Sequence, residues 1–217
     1  MLRMDLEMFL NSFNKHKRNG IIHVGGHHGQ EIPLYNHLGF QRILIFEPLE
    51  DAWKKIPVES NVYKIKAAVG DKTGKATMHV NRVLDHDGKV VVGESSSLLK
   101  PKNHLVAFPD VHFSSITEEV DVVTLDRWFL TTTNGLQPTD FSCLILDAQG
   151  YEDRIILGAE SLLKNIDVVY SEIAITELYE NNAKLDTLDS LLYNHGFKRI
   201  HHWLDQHGCG EAIYIKL

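Results

Sequence analysis

Ile21-Ile22-His23-Val24-Gly25-Gly26-His27-His28-Gly29-Gln30-Glu31, followed by Arg42-Ile43-Leu44-Ile45-Phe46-Glu47-Pro48, decides how this chain reads. A short apolar strand enters a glycine-rich turn and a helix start, and a second strand ends on a carboxylate 18 residues after Gly29. That order suits an adenosine-containing cofactor. Gly25 and Gly29 let backbone approach a ligand where a β-carbon would collide, and Glu47 can accept hydrogen bonds from both ribose hydroxyls. A tight strand-to-helix turn also needs glycine for steric reasons alone, so the turn by itself leaves both readings open.

Working outward, 217 residues with 43% apolar composition can bury a sizeable core, and the whole of 1–217 is expected to form one domain. No run approaches the roughly 18 apolar residues of a membrane span, and the first eight residues lack the apolar stretch of a secretory signal. No membrane partner is therefore expected. Leu2, Leu6, Phe9, Leu10 and Phe13 instead predict an amphipathic leading helix over 1–19 that covers the sheet. Cys143 and Cys209 stand far apart with no disulfide framework around them, which points to a reducing cytoplasm. A formal charge of −7 with signs well mixed leaves no basic stripe, so a nucleic-acid partner is disfavoured.

Periodicity predicts strands at Ile21–Val24, Arg42–Glu47, Tyr63–Val69, Cys143–Asp147, Val168–Ile173, Lys198–Trp203 and Ala212–Leu217. Helical patterns separate most of them, clearest at Glu152–Leu163 and Leu185–Tyr193. Strand–helix alternation means an α/β fold: a Rossmann-like, doubly wound, mostly parallel seven-stranded sheet with right-handed crossovers. Only Leu204–Glu211 separates the last two strands, which requires a C-terminal antiparallel hairpin. Class I methyltransferases end this way, whereas dinucleotide dehydrogenases add another parallel unit. The span 74–128 is the least regular. Lys75–Asn81 and Glu118–Thr124 read as strands, and Asp85–Pro109 as a long loop, a candidate substrate cover.

From Ile21 to Glu172 the chain resembles the FkbM-family methyltransferases. Five blocks in order carry the likeness: Gly25-Gly26-His27-His28-Gly29-Gln30; Phe46-Glu47-Pro48; Ala67-Ala68-Val69-Gly70-Asp71 with Gly74; Ser95-Ser96-Ser97-Leu98; and Val123-Thr124-Leu125-Asp126 leading to Ile145-Leu146-Asp147-Ala148-Gln149-Gly150-Tyr151-Glu152. The family's usual pattern has aspartate where His23 stands, and valine-glutamate-glycine where this chain has Ala148-Gln149-Gly150.

The resemblance implies a class I methyltransferase fold and S-adenosylmethionine as cofactor, with methyl transfer to a hydroxyl of a small-molecule or glycan acceptor, most often a sugar. Gly25, Gly26 and Gly29 would pass beneath the amino-acid half of the cofactor, with helix-start amides turned to its carboxylate. Glu47 would take the ribose diol, backbone around Ala68 would pack on the adenine, and Asp71 would accept from its amino group. Asp147 and Glu172 end strongly apolar strands, where an open parallel sheet places its ligand crevice, and are the expected catalytic carboxylates. They could take the acceptor's proton, or hold a divalent cation that acidifies its hydroxyl. The metal-free route is favoured, because no third ligand is evident, and no metal residue is assigned.

The 13 histidines invite a metal centre, yet His201, His202, His207 and Cys209 fall across a hairpin whose residues alternate faces. His27 and His28 lie inside the cofactor turn and could touch cofactor or acceptor. Two alternatives stay open from the residues alone. A nicotinamide-dependent oxidoreductase uses the same strand, turn and carboxylate, but Val24 occupies the place of the first glycine of G-x-G-x-x-G. A non-catalytic module that keeps the cofactor fold is the other, kept open by His23.

Overall fold

The computed structural model describes residues 19–84, 87–132 and 135–217. The expected leading helix over 1–19 lies almost wholly outside the described residues. In chain order the strands are β1 (Gly20–Val24), β2 (Arg42–Phe46), β3 (Val62–Ile65), β4 (Ala68–Val69), β5 (Gly74–Leu84), β6 (Val90–Val92), β7 (His112–Val123), β8 (Cys143–Leu146), β9 (Val168–Ala174), β10 (Phe197–Leu204) and β11 (Cys209–Lys216). The helices are α1 (Ile32–His37), α2 (Glu50–Trp53), α3 (His104–Ala107), α4 (Leu125–Thr131), α5 (Glu152–Leu157) and α6 (Leu185–Asn194).

Seven strands form the main sheet in the order β10-β11-β9-β8-β1-β2-β3. The pairs β1–β2, β1–β8, β2–β3 and β8–β9 are parallel, and β11 runs antiparallel to both β9 and β10. The hairpin expected from the short connection is there. Tertiary structure adds that β11 slots between β9 and β10, so that Glu211 pairs in register with Glu172.

Alternation along each strand builds two cores. Ile22, Val24, Leu44, Phe46, Leu144 and Leu146 pack with Ile155, Ile156, Leu188 and Leu192 of α5 and α6 on one face. Ile21, Ile43, Ile45, Cys143 and Ile145 pack with Ile32 and Tyr35 of α1 on the other. Each fully buried side chain of this kind contributes roughly 1.5–3 kcal/mol. Proline opens α1, where a missing N–H costs nothing, and Gly39 at φ +85° closes it.

Three expectations are corrected. The single strand Tyr63–Val69 is two strands in different sheets. β3 closes the main sheet, while β4 pairs with β7 in a four-stranded sheet ordered β4-β7-β5-β6, with a core of Leu49, Ala68, Met78, Val80, Val92, Val120 and Val122. Periodicity registers a strand's faces and not which sheet it joins. The loop Asp85–Pro109 contains edge strand β6, helix α3 and a bridge from Ser97 to His79; its pairing with β5 is a tertiary contact that local sequence does not announce. Helix Glu152–Leu163 ends at Leu157, and a 3-10 turn follows at Leu162–Lys164. The break is at Gly158, where a β-carbon would lie 2.1 Å from the Gly70 carbonyl oxygen.

Candidate active site

At the carboxyl end of β1 the chain turns through Gly25 (φ +84°), His27 (φ +44°) and Gly29 (φ +78°). The amides here are bonded inside the fold. Those of Gly25 and Gly26 donate to the Phe46 carbonyl at 2.9 and 3.2 Å, and that of Gly29 donates to Gly26 at 2.7 Å. The His27 amide donates to Glu47 Oε2 at 3.0 Å, and the Leu49 amide to Glu47 Oε1 at 2.8 Å. Glu47 is thereby fixed at the end of β2 with one backbone donor on each oxygen. It is only 5% exposed, and burial pushes its carboxyl up to about 8 against the pull of the two amides.

Glu47 lines a cleft of about 560 Å³ together with Gly25, Ala68, Met78, Leu98 and Asp147. Of the other residues expected here, Gly26, Gly29 and Asp71 do not line it. A β-carbon at Gly26 would meet Ile45 of β2 at 2.4 Å and one at Gly29 would meet Ile32 of α1 at 2.7 Å, so both glycines serve packing of the turn on the neighbouring strand and the following helix. Gly25 is doubly constrained, since its β-carbon would fall 1.7 Å from the Asp147 carbonyl oxygen. Helix α1 begins only at Ile32, and the turn's amides are already used, so the expected helix-start cradle for a carboxylate is not formed by Gly25, Gly26, His27 or Gly29. Asp71 sits outside the cleft; burial raises the phenol pKa of Tyr151, which does line it, and the nearby Asp71 adds to that rise.

The departure at His23 lies beneath the turn. Its ring is 2% exposed, bonds Tyr35 Oη through Nδ1 at 3.0 Å and has no partner for Nε2 among the described residues. Burial pulls its pKa down to about 4, which favours the neutral ring, and His23 does not line the cleft. His27 does line the cleft, with Nε2 3.1 Å from the Val92 carbonyl oxygen, and Nδ1 2.7 Å from His28 Nδ1.

A second, more open cavity of about 940 Å³ lies alongside. Glu94, Asp147 and Gln149 line both. Glu172, Trp203 and Glu211 line only the second. Glu172 was expected to end its strand; it lies inside β9, which runs on to Ala174 because β11 pairs along it. Asp147 follows β8 directly and its amide bonds the Val24 carbonyl at 3.0 Å. It does not cap α5, whose N-cap is Tyr151. Glu211 accepts from Trp203 Nε1 at 3.2 Å and from the Tyr170 hydroxyl.

Two residues with larger roles than the sequence suggested stand between the carboxylates. Gln149, at φ +54°, donates through Nε2 to Asp147 Oδ1 and to Glu172 Oε2, both at 2.9 Å. Glu152, in the first turn of α5, also has an acid's expected place near a helix start. It is 2% exposed and accepts the amides of Ala148 (2.9 Å) and Gly150 (3.2 Å), pinning the loop that carries Gln149. Burial raises Asp147 to about 6 and Glu152 to about 7; burial, reinforced by the other carboxylates, holds Glu172 well above the usual range. The departure from the family pattern at 149 was the available signal for its role. Among the described residues no group of three or more His, Cys, Asp or Glu is arranged to hold a metal ion, and no helix is long and apolar enough to cross a membrane.

A cleft with largely apolar walls and a buried carboxylate following a strand end lies beside a second, carboxylate-lined cavity, and Glu94, Asp147 and Gln149 face both. Residues 23–199 match the Methyltransferase FkbM domain. The chain belongs to this family of S-adenosylmethionine-dependent methyltransferases. A curated relative, 2-O-methyltransferase NoeI of Sinorhizobium fredii, is 30% identical over 128 residues, 58% of this chain. The match spans about half of that protein, 49% of its length. The fold is shared with magnesium protoporphyrin IX methyltransferase of Synechocystis, solved with S-adenosylmethionine (TM-score 0.50, 6% identity, 98% of this chain and 77% of that one) and with S-adenosylhomocysteine (TM-score 0.51, 7% identity, 98% and 80%). Family membership removes the nicotinamide alternative.

Proposed function

We propose that this FkbM-family methyltransferase transfers its methyl group to a hydroxyl of a small, neutral, hydroxyl-rich acceptor, a sugar or glycan unit. The observation that carries the reading is the position of Asp147, which lines both the cofactor-type cleft and the carboxylate-rich second cavity.

The residues present fit the cofactor. Glu47 has lone pairs beyond the two that its backbone donors use, enough for a ribose diol, and Ala68, Met78 and Leu98 offer apolar surface for a purine. When bound, S-adenosylmethionine supplies an activated methyl, so the protein's contribution is mainly positioning and proton removal. On the acceptor side, neither cavity is lined by Lys or Arg among the described residues, whereas Glu94, Asp147, Glu172, Asp205 and Glu211 line the second. Such a wall repels phosphate or carboxylate groups and accepts hydrogen bonds from hydroxyls; Trp203 adds an apolar face of the kind sugar rings pack on. The name of the 2-O-methyltransferase relative supports oxygen as the nucleophile.

Asp147 is the group that receives the acceptor's hydroxyl proton in this reading, with the free electron pair of its carboxylate forming the new O–H bond. The two free cysteines, Cys143 and Cys209, suit work in a reducing compartment such as the cytoplasm.

The test is transfer of isotopically labelled methyl from S-adenosylmethionine to a panel of neutral, amino and phosphorylated saccharides, with wild type and Asp147→Asn side by side. Wild type should label hydroxyls of neutral saccharides in preference to phosphorylated ones, and Asp147→Asn should lower turnover by about 10²-fold or more. Labelling confined to nitrogen or to anionic acceptors would refute the acceptor class. Wild-type turnover by Asp147→Asn would remove the base.

A further inference from the structure

We propose that Gln149 is a positioning residue whose side-chain amide sets the proton affinity of the Asp147 and Glu172 carboxylates at the seam between the two cavities. The inference deepens the functional reading above and rests on it only for the role of Asp147 as proton acceptor.

Both protons of the Gln149 amide are committed, one to Asp147 Oδ1 and one to Glu172 Oε2, each at 2.9 Å. Its orientation is fixed from the other side. Oε1 lies 3.1 Å from the Tyr179 hydroxyl, whose proton it shares with the Ser95 carbonyl at 2.9 Å. A flipped amide would aim its oxygen at two carboxylates, so one orientation alone satisfies the contacts. The backbone is held as firmly. Gln149 takes φ +54°, a region costly for a non-glycine residue, and its carbonyl accepts the Ser97 hydroxyl at 2.8 Å.

The charges around the amide show why a neutral donor matters. Asp147 follows β8, Glu172 lies on β9, Glu211 faces it from β11, Glu152 opens α5 and Glu94 comes from the segment after β6; His104, Asp205 and Cys209 also line the second cavity, His27, Glu47 and Tyr151 line the first, and Tyr179 bonds Gln149 Oε1. No lysine or arginine lines either cavity among the described residues. With no cation at hand, each carboxylate disfavours ionisation of the next. A glutamine donates two hydrogen bonds without adding a charge, and has no proton to lose itself. It stabilises the ionised form of both neighbours, the form that can receive a proton from an acceptor. A glutamate here would add another carboxyl to the cluster, and when protonated would have one proton for two partners. Proton affinity at Asp147 would then rise, and the working pH with it.

The experiment follows the Asp147 carboxyl directly. In full-length protein labelled with ¹³C at aspartate carboxyls, with Asp147→Asn to assign the resonance, the titration midpoint is measured for wild type, Gln149→Glu and Gln149→Asn without ligand, and the pH profile of methyl transfer alongside. Asparagine tolerates the left-handed backbone and keeps an amide, but is too short to span both carboxylates, so it serves where the glutamate variant fails to fold. The expected result is an upward move of the midpoint by about one unit, a tenfold gain in proton affinity, in Gln149→Glu, and a smaller move of the same sign in Gln149→Asn. The acidic limb of the activity profile should move with it. An unmoved midpoint in a folded variant, with or without a loss of rate, overturns the proposal. A midpoint that moves while the acidic limb stays in place upholds the role of Gln149 and overturns Asp147 as the base.

Discussion

Two turns at the carboxyl ends of neighbouring parallel strands carry the site, and they hold their carboxylates by different means. After β1, residues 25–29 and the start of α2 supply backbone amides, and Glu47 is fixed by the main chain of His27 and Leu49. After β8, residues 147–150 also enter left-handed backbone, at Gln149 and Gly150, but Asp147 and Glu172 are held by one side-chain amide. A carboxylate gripped by main chain keeps its donors whatever side chains surround it. One gripped by a side chain can be retuned by a single substitution. In the reading proposed above, the cofactor half of the site is thus built into the backbone, and the acceptor half is adjustable.

Gly25→Ala should break the first turn most severely. Its β-carbon would lie 1.7 Å from the Asp147 carbonyl oxygen at a φ of +84°, and overpacking plus left-handed strain should cost about 3 kcal/mol or more of stability. Denaturant unfolding measures it; a folded variant of normal stability would show that the turn does not seat the β8 loop.

Next in size, Glu47→Ala should weaken S-adenosylhomocysteine binding by about 1.5–3 kcal/mol, since it removes a charged hydrogen-bond acceptor. Calorimetric titration checks this, and unchanged affinity would end the ribose assignment. Glu47 also has a pH signature. Its carboxyl is raised from 4.5 to about 8 in the fold, so the folded chain binds more protons than the unfolded one across that window. Its contribution to stability is complete below 4.5 and is lost as pH rises towards 8. Cofactor binding runs the other way, because ribose hydroxyls favour the ionised carboxylate: S-adenosylhomocysteine affinity should rise from pH 6.5 to 8.5 in wild type and much less in Glu47→Gln. Equal slopes would detach Glu47 from the ligand.

The smallest effect sharpens the boundary of the cleft. Asp71 does not line it, so Asp71→Asn should change S-adenosylhomocysteine affinity by no more than about 0.5 kcal/mol, as expected for a substitution away from such contacts. A tenfold loss would bring Asp71 back to the adenine.

Legibility divides along the same line. Strands β1, β2, β8 and β9, the hairpin, and Glu47 at its offset from the glycine turn could be read directly, because each depends on period, length or spacing along the chain. Ala68 lines the same cleft as Glu47, but from the second sheet rather than the main one. Gly26 and Gly29 were taken for ligand contacts since a glycine's reason is invisible in sequence: the atoms that crowd it, Ile45 and Ile32 here, decide whether it makes room for a ligand or for the protein.

By itself, then, the sequence determined the alternation that makes the sheet, the family, and the carboxylates Glu47 and Asp147 that directly follow β2 and β8. Only the tertiary structure decided that β11 enters between β9 and β10 to set Glu211 against Glu172, that residues of segment 92–98 line the cleft, and that the Gln149 amide joins Asp147 to Glu172. Secondary structure follows from forces between residues a few positions apart. Proton affinity in a buried site follows from desolvation and from charges contributed by β8, β9, β11 and α5, which no local pattern brings together.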